Sequence, residues 1–246
     1  MIEIMVKNIA AYRSSLADAM KGIQSFKTFA LEAASDFQSI ASVAPSSRHL
    51  ALAMLDGLPI NEARTVVELG AGTGAITQVL LEALPAQATL LAFEINPEFI
   101  SYLAKRFSDP RLVLLNAPAE SLGDELRQRG LTRVDAVVSS LSLRFMPDHR
   151  QRILQEALAP FMDESSVYSQ YQYVHGVRWE NGRILRHSSL PFLREYFGSI
   201  QCRTIWRNLP PARVFTCRQR FRDQHAIQVR TSGNACKTGS LAGEQA

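Results

Sequence analysis

Val66-Val67-Glu68-Leu69-Gly70-Ala71-Gly72-Thr73-Gly74 decides how this chain is built. An apolar run carries one acidic residue and then three glycines at alternate positions, and Ile76, Val79, Leu80, Ala83 and Leu84 follow at helical spacing. The pattern predicts a buried parallel strand turning tightly into a helix, with glycines where a ligand approaches the backbone. A second apolar run, Thr89 to Phe93, ends in Glu94, 26 residues after Glu68. An acidic residue at the end of the second strand is placed to accept hydrogen bonds from the two hydroxyls of a ribose. The first half of the chain therefore reads as binding an adenosine-containing cofactor.

Spacing separates two such cofactors. The dinucleotide fingerprint is G-x-G-x-x-G, with a pyrophosphate on the helix N-terminus. Here the glycines read G-x-G-x-G, and Glu68 places a carboxylate at the strand end. A carboxylate repels a pyrophosphate but suits the ammonium of a methionine moiety. S-adenosylmethionine is thus favoured over NAD, with a Gly-rich turn of some other α/β domain as the remaining alternative.

At 246 residues the chain can bury one substantial core and an accessory segment, and 46% apolar residues argue against disorder. No apolar run approaches the ~20 residues that span a bilayer. The first ten residues carry Glu3 and lack the pattern of a secretory signal. Cys202, Cys217 and Cys236 show no metal-ligand spacing, and their odd number argues against a disulfide framework. No metal is expected, and a reducing cytoplasm fits. A net charge of +4 is compatible with anionic lipid or nucleic acid and diagnostic of neither.

Residues 12–44 read as one or two amphipathic helices, with Leu16, Met20, Ile23, Phe26, Ala30, Ala33, Phe37 and Ile40 at spacings of three and four. Ala44-Pro45-Ser46-Ser47 interrupts them, and Ser47 can cap the next helix. Strands are predicted at 65–69, 89–95, 111–116, 134–140 and 166–174, and helices at 75–84, 97–107, 121–129 and 148–159. A helix near 189–197 leads to two strand-like runs, Ile200 to Arg207 and Arg213 to Gln219, joined by a Pro-containing turn. Five parallel strands and a terminal antiparallel hairpin make an α/β, Rossmann-like, seven-stranded sheet of the class I methyltransferase plan. The expected organisation is an N-terminal helical segment at 1–44, a methyltransferase domain at 45–220 and a disordered tail at 221–246.

Ligands of open α/β sheets bind at the carboxyl ends of the parallel strands. Those ends read Asn116-Ala117, Ser139-Ser140-Leu141-Ser142, Gln170-Tyr171-Gln172-Tyr173 and Trp206 to Pro211. They hold no nucleophilic triad, Cys-His pair or metal cluster; they offer hydroxyl, amide, guanidinium and aromatic groups. Such groups position a substrate, and methyl transfer needs little more, because a sulfonium is already an activated electrophile. Tyr168, Tyr171 and Tyr173 are read as sharing one strand face, with Gln170 and Gln172 on the other. Tyr173 either lines the site or packs under a helix.

The chain resembles the bacterial phospholipid N-methyltransferases, which convert phosphatidylethanolamine toward phosphatidylcholine. The resemblance spans roughly residues 12–219 and rests on Ala44-Pro45-Ser46-Ser47, Val66 to Gly74, Asp135 to Leu141 and, most specifically, Ile205-Trp206-Arg207-Asn208-Leu209-Pro210-Pro211-Ala212-Arg213-Val214-Phe215. It implies that Glu68, Gly70, Gly72 and Gly74 hold S-adenosylmethionine, that Glu94 holds its ribose, and that Asn116, Ala117 and Ser139 complete the cofactor site. It also implies that Tyr173, Arg207 and Asn208 lie near the lipid headgroup. Arg207 suits a lipid phosphate, because a guanidinium matches phosphate oxygens with two parallel bonds; a surface salt bridge is its other reading. Two departures stand out. Relatives carry Gly-Asp-Ala where this chain has Asn116-Ala117-Pro118, and Leu-Pro-Leu-Leu where it has Leu141-Ser142-Leu143-Arg144.

A lipid substrate requires docking at a surface. Residues 12–28 present an apolar stripe with Arg13, Lys21 and Lys27 available to anionic lipid, and residues 30–43 are read as a lid. The expected location is the inner face of the cytoplasmic membrane, peripherally bound, with the phosphatidylethanolamine headgroup as partner and no nucleic acid. An adenine dimethyltransferase acting on ribosomal RNA is the rival enzyme, but it wants an amide and an aromatic after strand four, and Ser139 to Ser142 supplies neither. A non-catalytic membrane-binding protein that has kept the cofactor fold is the remaining alternative.

Overall fold

The computed structural model describes residues 47–174, 177–180, 183–186, 188–208 and 210–219. The amphipathic helices and lid expected before Ser47, and the tail expected from 221, lie outside these residues.

Ser47 caps α1 (Arg48–Leu55) by accepting a hydrogen bond from the Leu50 N–H at 3.2 Å. Strands and helices then alternate: β1 (Thr65–Leu69), α2 (Ala75–Ala83), β2 (Thr89–Phe93), α3 (Pro97–Arg106), β3 (Leu112–Leu115), α4 (Leu122–Gln128), β4 (Ala136–Ser139), α5 (Asp148–Leu158) and β5 (Val167–Tyr173). After β5 come a short hairpin, β6 (Val177–Glu180) and β7 (Arg183–Arg186), then α6 (Leu190–Tyr196), β8 (Phe197–Ile205) and β9 (Ala212–Gln219). The main sheet has seven strands in the order β3-β2-β1-β4-β5-β9-β8. Its first five are parallel, and β9 runs antiparallel to both β5 and β8. This is the Rossmann-like class I architecture that the alternating pattern predicts.

Period-two alternation gives each strand two apolar faces, and both are covered. Val66, Leu90, Ala136 and Val138 pack against Leu50 and Met54 of α1 and Val79 and Leu80 of α2, while Leu103 of α3 packs with Ala92. On the opposite face Val67, Leu91 and Val137 meet Leu122 and Leu126 of α4, Leu154 and Leu158 of α5 and Leu193 of α6. Asp135 fastens the two central strands at their starts: one carboxylate oxygen accepts from the Arg64 N–H at 2.7 Å and the Thr65 N–H at 2.9 Å. Strand order reverses between β1 and β4, so a crevice opens there at the carboxyl edge, lipped by the loops after β1 and β4.

The structure corrects or completes three readings. Tyr168 does not share a face with Tyr171 and Tyr173: its hydroxyl donates to Gln170 Oε1 at 3.0 Å and its ring stacks on Phe197 at 5.1 Å. Residues of equal parity share a strand face, so Tyr168 belongs with Gln170 in the α4–α6 layer, and Tyr171 and Tyr173 lie on the other side. The β6–β7 hairpin is an addition to the predicted elements, although Asn181-Gly182 between the two runs is a strong hairpin signal in sequence. Cys202 pairs in register with Phe215 and Cys217 with Ile200, so the two thiols are diagonal neighbours; Cys217 is buried and Cys202 exposed. Burial, with Cys202 adding to it, pushes the Cys217 thiol up to about 12.

Gly74 has a packing duty as well as a conformational one. It sits at φ +81°, and a Cβ there would lie 2.6 Å from Phe107 Cε2 and 2.7 Å from Leu103 Cδ2. Gly74→Ala should therefore lower stability by about 2–4 kcal/mol, the sum of left-handed strain and overpacking. Gly72, with open space around the same position, should lose only about 1–2 kcal/mol on substitution by Ala. Chemical denaturation of the two variants against the parent checks the ranking.

Candidate cofactor and substrate site

The loop after β1 is anchored from below and held open above. The Gly70 and Ala71 N–H groups donate to the Phe93 carbonyl at 2.9 and 3.0 Å, tying the loop to the end of β2. The Gly72 N–H donates to Glu94 Oε2 at 2.8 Å, and Glu94 Oε1 accepts from the Asn96 N–H at 2.9 Å. Glu94 is thus fixed by two backbone donors, and each oxygen retains a second acceptor position for a ribose hydroxyl. No described residue lies within 4 Å of a Cβ built on Gly72, whereas one on Gly70 would be 3.3 Å from Leu141 Cδ2. The three glycines serve different neighbours. Gly70 admits the β4 loop, Gly72 faces free space, and Gly74 admits the end of α3.

Glu68 is completely buried beneath this loop. Its Oε2 accepts a hydrogen bond from Thr77 Oγ1 at 2.7 Å, while Oε1 has no partner among the described residues. Burial, opposed by Thr77 and reinforced slightly by Glu94, pushes its carboxyl up to about 7. An orphaned buried carboxylate oxygen beside an open glycine is what a cationic ligand requires, so the residues present fit S-adenosylmethionine.

Asn116 is exposed, and its Nδ2 donates to the carbonyls of Glu94 and Ile95, each at 3.0 Å. Ala117, where the resemblance leads one to expect a carboxylate, is half-buried against the α4–α6 core. Ser139 is buried on that same side, accepting from the Leu141 N–H at 3.4 Å, so its side chain supports the β4 loop. Burial raises the Tyr168 phenol far above its ordinary range, with the nearby polar side chains of Ser139 and Gln155 acting the other way.

The three residues expected near the substrate lie on the same edge but have different surroundings. Tyr173 is half-buried and meets Tyr171 edge-on at 5.5 Å. Asn208, only 3% exposed, is a joint: its Oδ1 accepts from the Ser47 N–H at 3.1 Å and its Nδ2 donates to the Pro210 carbonyl at 2.7 Å. It therefore binds the start of α1 to the β8–β9 turn, bringing Ser47 of one quoted sequence string to Asn208 of another. Arg207 is exposed beside Trp206, which is 73% exposed. Both line a groove of about 870 Å³ between α1 and β8, away from the glycine loop, with His49, Leu52 and Leu55 on its other wall.

Sequence reading missed Thr77, the sole protein group bonded to the Glu68 carboxylate among the described residues. Its signal was a polar residue on the buried side of α2. Ile95 was also missed: an apolar side chain, 66% exposed, next to Glu94 at the carboxyl edge.

Comparison with known proteins agrees with this geometry. Residues 67–159 match a family model described as a methyltransferase domain. The ornithine lipid N-methyltransferase of Singulisphaera acidiphila is 32% identical over 181 residues, covering 73% of this chain and 88% of that enzyme. The chain belongs to the bacterial lipid N-methyltransferase family. As a class I methyltransferase it uses S-adenosylmethionine. The ribosomal RNA small subunit methyltransferase H of Aromatoleum aromaticum is 32% identical over 103 residues, covering 42% of this chain and 33% of that protein. The 1,6-didemethyltoxoflavin-N1-methyltransferase of Burkholderia thailandensis, solved with S-adenosylhomocysteine, shares the fold with a TM-score of 0.53 at 18% identity, over 82% of this chain and 89% of that one.

Because the folded Glu68 carboxyl titrates near 7, above its ordinary value of 4.5, its contribution to stability is full below about pH 4.5 and is lost as pH rises through about 7. Glu68→Gln removes the cost of burying that charge. The ligand-free variant should match the parent near pH 4.5 and exceed it by up to about 3 kcal/mol at pH 8. The same variant should bind S-adenosylmethionine at least about tenfold more weakly, having lost a charged acceptor. Denaturation at the two pH values, with calorimetric titration of the cofactor, checks both arms.

Proposed function

We propose that this chain transfers methyl groups from S-adenosylmethionine to the amine of a membrane lipid headgroup. The observation that carries the proposal is the similarity to an ornithine lipid N-methyltransferase across 88% of that enzyme's length. Phosphatidylethanolamine and its methylated forms, leading toward phosphatidylcholine, are the headgroups to which the sequence resemblance points; ornithine lipid is the other candidate. Both combine an amine with a nearby anion.

S-adenosylmethionine supplies an activated methyl group when bound. Every other requirement falls to the chain's own residues. Glu68 presents its unpartnered oxygen as counter-charge to the methionine ammonium, and Glu94 accepts from the ribose hydroxyls. Asn116 has both amide hydrogens committed to carbonyls, leaving Oδ1 to accept from the adenine amino group in place of the carboxylate absent at Ala117. Ile95 offers an apolar surface beside it. An alkyl amine has a pKa of about 10, so the headgroup must reach the methyl in its neutral form. The rings of Tyr171 and Tyr173 suit the methylammonium that forms, since aromatic faces attract such cations.

Docking belongs to the exposed end of the site. Trp206 has the amphipathic body that favours a membrane interface, and Arg207 beside it suits lipid phosphate. In this reading the enzyme works peripherally at the inner face of the cytoplasmic membrane; among the described residues no helix is long and apolar enough to cross one.

The test is lipid analysis of cells lacking phosphatidylcholine that express this chain, with and without ornithine lipid. Mono-, di- or trimethylated phosphatidylethanolamine, or methylated ornithine lipid, is the expected product. Purified protein that binds S-adenosylmethionine yet methylates neither lipid in mixed micelles would overturn the proposal. Arg207→Gln should weaken binding to anionic vesicles about fivefold, the equivalent of about 1 kcal/mol for one surface cation, with cofactor affinity unchanged.

A further inference from the structure

The β4–α5 loop forms the second lip of the crevice at the β1/β4 switch point, facing the glycine loop across it. Its backbone is held in place by buried amides. Gln151 of α5, itself 4% exposed, donates from Nε2 to the carbonyls of Leu143 and Met146 at 2.8 and 2.7 Å. Gln170 of β5, fully buried, donates from Nε2 to the Leu141 carbonyl at 3.0 Å. The Ser140 N–H joins the loop to β1 by donating to the Leu69 carbonyl at 2.8 Å, and the loop closes on itself where the Phe145 N–H donates to the Ser142 carbonyl at 2.9 Å. Side chains from two different core elements thus tie one surface loop.

Arg144 sits inside this fixed loop. Its guanidinium lies 4.2 Å above the Phe145 ring and is half-buried. Several other arginines have anionic partners: Arg111 has Asp109, Arg133 has Asp163, Arg150 has Glu120 and Arg203 has Asp56. Arg144 has no carboxylate within ion-pair distance among the described residues. Burial alone pulls its pKa below the ordinary arginine value. A desolvated cation without a counter-ion is costly to maintain, and a stacked, preoriented fork at the rim of a ligand crevice recovers that cost when an oxyanion arrives.

We propose that Arg144 is the specificity-determining contact for the lipid headgroup's own oxyanion, the carboxylate of ornithine lipid or the phosphate of phosphatidylethanolamine. The inference rests on the lipid-amine reading above and adds to it the group that recognises the substrate's anion. Two parallel N–H donors match either oxyanion. With the anion held on the β4 lip and the cofactor held by the β1 lip, the amine attached to that headgroup is confined to the space between them. The exposed Arg207 acts elsewhere, meeting the phosphates of the surrounding surface.

Kinetics at saturating S-adenosylmethionine, with ornithine lipid and with phosphatidylethanolamine in neutral mixed micelles, separate the possibilities. Arg144→Gln should raise KM for the lipid about 10- to 100-fold, as expected for a lost charged hydrogen-bond pair, while kcat and the cofactor's Kd move less than about twofold. Arg144→Lys should fall between parent and Arg144→Gln, because it keeps the charge and loses the fork. If both lipids show the rise, the pocket reads any oxyanion; if one does, that headgroup is the one recognised. An unchanged lipid KM in Arg144→Gln would overturn the inference, as would a loss shared equally with cofactor affinity, since a collapsed loop would then explain it. A parent enzyme inert on both lipids would overturn the lipid-amine reading itself, a result distinct from an active parent whose KM ignores Arg144.

Discussion

Glu68 places a carboxylate with no access to solvent on β1, the strand at which the sheet's order reverses. Its neighbours in register, Ala92 and Val138, have no side-chain group that can bond to it. Thr77 can, provided α2 begins close behind the glycine loop, and α2 does begin at Ala75. That start depends on Gly74, which leaves room for Phe107 and Leu103 at the end of α3. One buried charge therefore sets the position of a helix, the identity of a glycine and the packing of a second helix.

Burying that charge without complete pairing lowers stability, and the surrounding structure offsets it. Both faces of the sheet are covered by apolar layers, and the ends of elements are closed with charged groups. Arg111 donates to the Leu81 carbonyl at 2.7 Å and to the Leu84 carbonyl, satisfying the last turn of α2, while Asp109 orients it. That guanidinium in turn holds the Asp109 carboxyl down at about 2. Asp135 clasps the starts of β1 and β4 in the same manner. These closures lie at the ends of elements or on the side away from the crevice, so the carboxyl edge is free to carry polar groups that are only partly satisfied. In the proposed site a cationic cofactor would supply the missing partner of Glu68, so that the ligand completes the site.

Most of the fold is legible in the sequence because it follows from periodicity. Alternation of buried strands with amphipathic helices places β1 to β5 and α2 to α5 nearly to the residue, and the acidic residues Glu68 and Glu94 fall at the carboxyl edge as the spacing predicts. Failures have local causes. Reading Tyr168 as part of one aromatic stripe with Tyr171 and Tyr173 ignores parity, and the structure shows what parity alone requires. The β6–β7 hairpin escapes notice because its strands are four residues long and rich in arginine, despite Asn181-Gly182 between them. The joint made by Asn208 is illegible, since it links positions 161 residues apart and only the fold brings Ser47 to it. Groups without a partner among the described residues, such as Glu68 Oε1 and the Arg144 guanidinium, are likewise invisible in sequence, because pairing is a property of three-dimensional surroundings.

The proposed site contains two cations with different physical worth. Arg207 is exposed, so water already solvates it and salt screens it; an anion gains little by replacing that water. Arg144 has given up much of its hydration to stack on Phe145 in a loop fixed by Gln151 and Gln170, so an oxyanion reaching it restores what folding removed. Selectivity among headgroups should therefore arise at the β4 lip, and attraction to an anionic surface at the β8–β9 turn. For the same reason a zwitterionic headgroup suits the crevice better than a simple amine. Its anion is drawn to the desolvated guanidinium, whereas the buried carboxylates of the proposed site, Glu68 and Glu94, are taken by the cofactor's ammonium and ribose. The amine, left without a competing counter-ion, is then free to lose its proton and meet the methyl group.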